Sequence, residues 1–325
     1  MYKCAYGIAA ILLSLTSAEA QTKNCVPLSG QQLIIYRAGS LTRAFVPLEE
    51  TFTCQTGVQV KDFPMGSVDA GRQITAGGQK ADLYAPADYL DIDLLMKPAG
   101  YSDFNIVFAH GRMVLAYSES GLAAKKLPQP QGSGKWYEIL TMPGVTIGGG
   151  HPFLDPGAYR QPMIFQLAEA YYKVPNLYNN LLQHAVIPSA ASDFQFTYEH
   201  NARATAKANP DYRYVDLPDE INLSDSTKDE FYRKNAVVAI PGLGTARSAR
   251  TVTIPANHVA WGITLLKDAP NRENAIKFLQ LLLGPAGTAM LTENGPDPIA
   301  PAHVSPESFS ALPQALKSLV RKTGR

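Results

Sequence analysis

The sequence predicts an α/β fold built largely on parallel strands. Short apolar runs suited to buried strands recur along the chain and alternate with stretches of helical periodicity. At several of the strand-to-helix junctions, glycine stands beside serine or aspartate. The chain of 325 residues is long enough for one large domain or two lobes of ordinary size. In open α/β sheets, ligands bind beyond the carboxyl ends of strands, so these junctions are where a site is expected.

The first unit sets the pattern. Leu33, Ile34, Ile35 and Tyr36 form a short strand, and Ala38-Gly39 allows a tight turn. Ser40 stands where a helix begins, with Leu41, Phe45, Leu48 and Phe52 at helical spacing. A hydroxyl, unpaired N–H groups and the positive end of a helix dipole would then meet at one point, which suits an anion. The alternative is that Ser40 only caps its helix. Val58 and Val60 alternate as in a strand. A second Gly66-Ser67 entrance follows, with a helix over 69–76 ended by Gly77-Gly78. Residues 81–85 read as a strand, and Asp88 as the cap of a helix holding Tyr89, Leu94 and Leu95. Residues 107–109 and 113–117 are further strands, 128–134 a surface loop and 136–140 a short helix.

The strand 145–147 leads into Gly148-Gly149-Gly150-His151, then Asp155-Pro156-Gly157 and a helix with Tyr159, Met163, Leu167 and Tyr171. Residues 185–188 and 194–198 suggest a strand ending at Glu199-His200. Residues 211–217 read as another strand, 221–226 as loop, 241–250 as a Gly/Ser-rich loop and 258–266 as a long apolar strand. Residues 271–283 form an amphipathic helix closed by Gly284. A last helix is expected on Leu312, Leu316, Leu319 and Val320.

The beginning of the chain reads as a secretory leader. A charged start is followed by an apolar run to Ser17 and an Ala18-Glu19-Ala20 cleavage signal. Residues 1–20 are assigned to it, so the mature chain is expected to be exported and to start at Gln21. No later run is apolar for long enough to span a bilayer. Two cysteines then remain, Cys25 and Cys54. In an exported chain they suggest one disulfide, the alternative being two free thiols. The net charge of +1 is unchanged by loss of the leader, and no Lys/Arg-rich run argues for nucleic acid as partner.

Nine stretches carry a resemblance: AGSL (38–41), GSV (66–68), KADLYAPADY (80–89), RMVLAY (112–117), WYEIL (136–140), DPGAYR (155–160), YEH (198–200), LPDEINLS (217–224) and AIKFLQLLL (275–283). In order and spacing the chain is similar to the periplasmic solute-binding proteins of molybdate and tungstate ABC transporters, above all the branch first known from archaea. The resemblance implies a two-lobe fold of the type II periplasmic-binding class, with the ligand in the cleft between lobes. It places lobe 1 on 21–112 and 259–325, and lobe 2 on 113–258. It also implies a soluble periplasmic monomer, not an enzyme, with no cofactor, that hands molybdate or tungstate to a membrane permease.

Carried across by position, Ser40 and Ser67 become oxyanion donors and Ala158 offers a backbone N–H. Asp155 and Glu199 become carboxylates that approach the metal centre itself. The chain departs from the family pattern in reading DPGAYR for DPCGYR, in His200 where Tyr is usual, and in His151 where a small polar residue is common. Three alternatives stand beside this. One is a sulfate-like oxyanion. Another is a divalent metal held by His151, Asp155, Glu199 and His200, all ordinary ligand types. The third is an exported hydrolase using Ser40 or Ser67, although neither lies in a G-x-S-x-G turn.

Overall fold

The chain runs through one sheet, crosses to a second, and returns to the first. A computed structural model describes residues 25–130, 134–186, 192–244 and 250–324; the expected leader lies outside them. Strands β1 (Gln32–Ala38), β2 (Gln59–Met65), β3 (Leu83–Ala85) and β4 (Ile106–His110) open the first sheet. Strands β5 (Met113–Ser118), β6 (Ile147–Gly148), β7 (Ala185–Val186), β8 (Phe194–Tyr198) and β9 (Tyr212–Asp216) make the second. A hairpin of β10 (Val237–Pro241) and β11 (Thr251–Pro255) follows. Strands β12 (Ala260–Leu265), β13 (Asp297–Val304) and β14 (Val320–Lys322) then complete the first sheet.

The first sheet has the order β14-β13-β4-β12-β3-β1-β2 and the second β7-β6-β8-β5-β9. Each carries its own helices, which gives a two-lobe α/β fold. The strands are mixed, not mainly parallel. β1 pairs in parallel with β2 and β3, while β12 is antiparallel to both β3 and β4. The returning chain imposes this, because β12 enters from the other lobe and runs back between strands laid down before the crossing. The crossing segments touch where Gly111 N–H donates to Val259 O at 3.0 Å.

Each lobe has an aromatic centre. In the first, Phe45 and Phe52 of helix Thr42–Thr56 meet Phe278 at 5.9 and 5.4 Å between ring centroids. In the second, Trp136 and Phe165 both pack edge-on against Phe196 at 5.7 Å. All six rings are almost fully buried. Burial of large apolar side chains such as these drives folding, by roughly 1.5–3 kcal/mol for each one taken out of water.

The Cys25–Cys54 disulfide is formed. It fastens residues 25–29 along the end of helix Thr42–Thr56, where Val26 N–H donates to Cys54 O and Ser29 N–H to Gly57 O. Gly57 closes that helix at φ 70°, and a Cβ there would sit 2.2 Å from Pro27 O, so only glycine serves. Closing a loop with a sequence separation of 29 stabilises the fold by about 3–4 kcal/mol in the chain-entropy account.

Several local expectations change. Ser40 lies inside a single 3-10 turn, Gly39–Leu41, and does not cap the helix after it. Glu199 and His200 do not end a strand but open helix Glu199–Ala208. Residues 221–226 begin inside a short helix, Asp219–Asn222. The expected last helix is a 3-10 segment, Gln314–Leu319, running into β14.

Candidate functional site

The two candidate serines stand just after β1 and β2 in the first lobe, and the candidate Asp155 stands at a helix entrance in the second. Ser40 follows β1, and its turn is braced from below. Arg37 Nη1 donates to Thr42 Oγ1 at 2.8 Å, and Thr42 Oγ1 donates to Gly39 O at 2.7 Å. The Ser40 hydroxyl accepts from Trp261 Nε1 at 3.0 Å. Ser67, the first residue of helix Ser67–Thr75, is fully buried. Its hydroxyl accepts from Ala87 N–H at 2.9 Å, and its carbonyl accepts from Tyr84 OH at 2.8 Å.

These bonds fix the direction of each hydroxyl. An indole N–H and a main-chain N–H can only donate. Each serine oxygen therefore receives a bond from the protein and keeps its own O–H to give. Two polarised donors of this kind suit an acceptor-only ligand such as an oxyanion.

Asp155 caps helix Pro156–Tyr172, its Oδ1 accepting from Gly157 N–H at 2.7 Å. Burial raises its pKa above the usual carboxylate range, against the lowering effects of the Gly157 N–H and of Arg160. The Ala158 N–H, expected as a ligand donor, is given to Asp155 O at 3.1 Å. The lobes meet beside this cap. Leu154 O accepts from Val68 N–H at 3.1 Å and Asp69 N–H at 3.3 Å. A Cβ on Gly66 would stand 2.5 Å from Leu154 O. The glycine before Ser67 is thus what allows the second lobe so close.

Glu199 is the first residue of its helix, and its N–H donates to Arg112 O at 3.0 Å. Its carboxylate engages Arg203 Nη1 at 3.1 Å and accepts from Tyr214 OH at 3.3 Å. Next to it, the His200 ring donates through Nε2 to Ser40 O at 3.0 Å. A carbonyl only accepts, so this contact fixes the tautomer.

The divalent-metal alternative is not supported. Among the described residues, no three His, Cys, Asp or Glu side chains stand together as a ligand set. The four candidates are each used elsewhere: His151 accepts from Phe153 N–H, Asp155 caps a helix, Glu199 pairs with Arg203, and His200 holds Ser40. The hydrolase alternative gains no support from the serine contacts. The hydroxyls of Ser40 and Ser67 face Trp261 and Ala87 N–H, neither of which can take a proton as general base.

Sequence reasoning passed over Trp261, Ala87, Arg160 and Tyr198. Trp261 read only as a strand residue, and its bond to Ser40 spans 221 positions of chain. The stretches 80–89 and 155–160 did hold the signal, since each places charge inside an otherwise apolar or small-residue segment.

Burial holds the His200 pKa down to about 4. The unfolded chain therefore takes up a proton near pH 6.5 that the fold refuses until about pH 4. The sign follows: this stability is complete above about pH 6.5 and is lost as pH falls toward 4, by about 3 kcal/mol. In melting curves from pH 7 to 4, His200→Gln should lose this part of the slope. An unchanged slope would contradict a buried neutral imidazole.

Residues 33–296 match the family described as bacterial extracellular solute-binding protein. The chain is 35% identical to the molybdate/tungstate-binding protein WtpA of Pyrococcus abyssi, over 89% of this chain and 90% of that protein. It is 34% identical to the protein of the same name from Thermococcus kodakarensis, over 89% and 87%. Among solved structures it resembles the sulfate-binding protein SubI from Mycobacterium tuberculosis H37Rv, with a TM-score of 0.61 at 14% identity, over 83% of this chain and 87% of that one. It also resembles the Azotobacter vinelandii periplasmic molybdate-binding protein, with a TM-score of 0.55 at 15% identity, over 81% and 98%. Those two likenesses speak for the fold.

Proposed function

The chain belongs to the bacterial extracellular solute-binding proteins, and on that premise we propose that it captures molybdate or tungstate and delivers it to an ABC transporter. The observation that carries this is the pair of serine hydroxyls, each of which accepts from a protein donor and so keeps its own proton to give. The names of the relatives at 35% and 34% identity support the same ligand class. We further propose that the protein acts in the periplasm as a monomer. Its lobes would comprise 21–112 with 259–325 and 113–258, following the two crossing segments.

For the carboxylates the proposal is direct contact with the metal of the oxyanion. A like-charge pair 4 Å apart costs about 4 kcal/mol at an effective dielectric of 20, so Asp155 and Glu199 would repel a dianion that stayed tetrahedral. Their placement makes sense if their oxygens add to a hard, high-valent centre, for which oxygen ligands are suited. Sulfate offers no such open position, so the carboxylates would select against it. Ser40 and Ser67 would hold the ligand oxygens.

Linkage provides the first test. A ligand that binds only the folded state stabilises it by RT ln(1 + [L]/Kd), about 4 kcal/mol at a thousandfold excess. Tungstate and molybdate should raise the melting temperature by several degrees, while sulfate at equal concentration should do little. A protein stabilised by sulfate as strongly as by tungstate would refute the proposal.

A further inference from the structure

Arg160 is 1% exposed and sits in the first turns of helix Pro156–Tyr172, on the second lobe. Two of its partners belong to the first lobe. Its Nη2 lies 3.2 Å from Asp88 Oδ2, and its Nη1 donates to Ala87 O at 3.0 Å. The third is Tyr198, whose hydroxyl accepts from Nη1 at 2.6 Å. Tyr159 adds a second tie between lobes, donating to Asp88 Oδ2 at 2.8 Å and Asp91 Oδ1 at 3.3 Å.

This group leads to both serines. Ala87 is held at its carbonyl by Arg160, while its N–H rests on Ser67 Oγ. The Tyr198 ring packs 4.9 Å from Trp261, which donates to Ser40 Oγ. The charges are also matched. Asp91 is fully buried with an unpartnered Oδ2, and burial followed by the neighbouring Asp88 drives its pKa well up. The ion-pair partner of the guanidinium is Asp88.

A buried ion pair is satisfied only when both members meet, and losing one leaves the other stranded out of water. Here the members come from different lobes. Parted lobes would hydrate both, and closed lobes must pair both, so intermediate openings are disfavoured. We propose that Arg160, with Asp88 and Tyr159, is an interlobe clasp that makes closure an all-or-none step and positions Ser67 for the ligand. Arg160 is a positioning residue that acts through Ala87 and Asp88. The clasp's part in ligand retention rests on the oxyanion reading, whereas its part in closure does not.

Spin labels at Lys61→Cys on β2 and Lys207→Cys on helix Glu199–Ala208, both exposed positions on opposite lobes, report closure as a distance distribution. With saturating tungstate the labelled parent should give one short distance. Tyr159→Phe and Asp88→Asn should leave an open fraction and release tungstate about tenfold faster, with little change in association. Asn at 88 can still accept from Leu90 N–H and so keeps that cap. Tyr159→Phe removes a single hydroxyl and guards against loss of fold. Variants that close and release as the parent does would overturn the clasp, as would slower-binding variants with the parent's distances. In the ligand-free protein both variants should lower the closed fraction, and equal fractions would overturn the clasp whatever the ligand. A parent that binds no tungstate would instead overturn the oxyanion reading, leaving the ligand-free distances to decide on the clasp.

Discussion

Ser67→Ala should weaken tungstate binding by about 10- to 100-fold, the range expected for one charge-assisted hydrogen bond of roughly 1.5–3 kcal/mol. The same change strips the Ala87 N–H of its acceptor in a fully buried setting. An orphaned buried donor costs about 1–3 kcal/mol, so the ligand-free protein should also melt earlier. The two effects separate in one experiment, because denaturant unfolding without ligand reads the orphan alone. Ser67→Thr keeps the hydroxyl and should restore binding more than stability, since its methyl must enter a filled space. An alanine variant that binds tungstate like the parent would remove Ser67 from the site.

The second large effect is expected at Asp155. Asp155→Asn retains a good helix cap and deletes one negative charge beside a dianion. Electrostatics alone therefore predicts tighter binding of every oxyanion. Direct coordination predicts the opposite for tungstate, a loss of about tenfold or more, because an amide oxygen is a poorer ligand for a high-valent centre. Sulfate should stay weak or bind slightly better, so selectivity narrows. The pH dependence adds a check. The raised pKa of Asp155 means that its carboxylate is lost early on acidification, so parent affinity should fall as pH drops through that range, and the Asn variant should lack this step. Equal gains for tungstate and sulfate in the Asn variant would show that Asp155 only flanks the ligand. Glu199→Gln should follow the same signs, complicated by release of Arg203 from its partner.

How much of this was legible in the residues depended on whether the signal was local. The unit of Leu33 to Phe52 declared itself because strand, turn and helix lie within one apolar pattern, and Ser67 followed by analogy with Gly66 before it. Helix Glu199–Ala208 was missed because only Glu199, His200 and Ala202 are buried, which leaves no apolar stripe to read. β13 was missed because Pro298 and Pro301 argue against a strand. It forms because its ladder with β4 shifts register between Pro298 and His303. The β10–β11 hairpin is buried chiefly at Ile240 and Ile254, too little for a periodic signal.

The site divides along the same line. Ser40, Ser67 and Asp155 stand at chain junctions where glycine, proline and a polar residue cluster, so they could be singled out as candidates. Their supporting groups could not. Trp261 reaches Ser40, and Arg160 reaches Asp88 and Ala87, across the cleft and across long separations in the chain. No window of sequence holds both ends of such a contact, although the stretches 80–89 and 155–160 each hold one.

Calorimetric titration of the ligand-free protein with tungstate, molybdate, sulfate and zinc tests the central claim most directly. The account predicts one site per chain for tungstate and for molybdate, with similar affinities, sulfate weaker by at least about a hundredfold, a gap of roughly 3 kcal/mol, and no heat of binding for zinc. Saturable binding of zinc without tungstate, or sulfate bound as tightly as the two metal oxyanions, would contradict it.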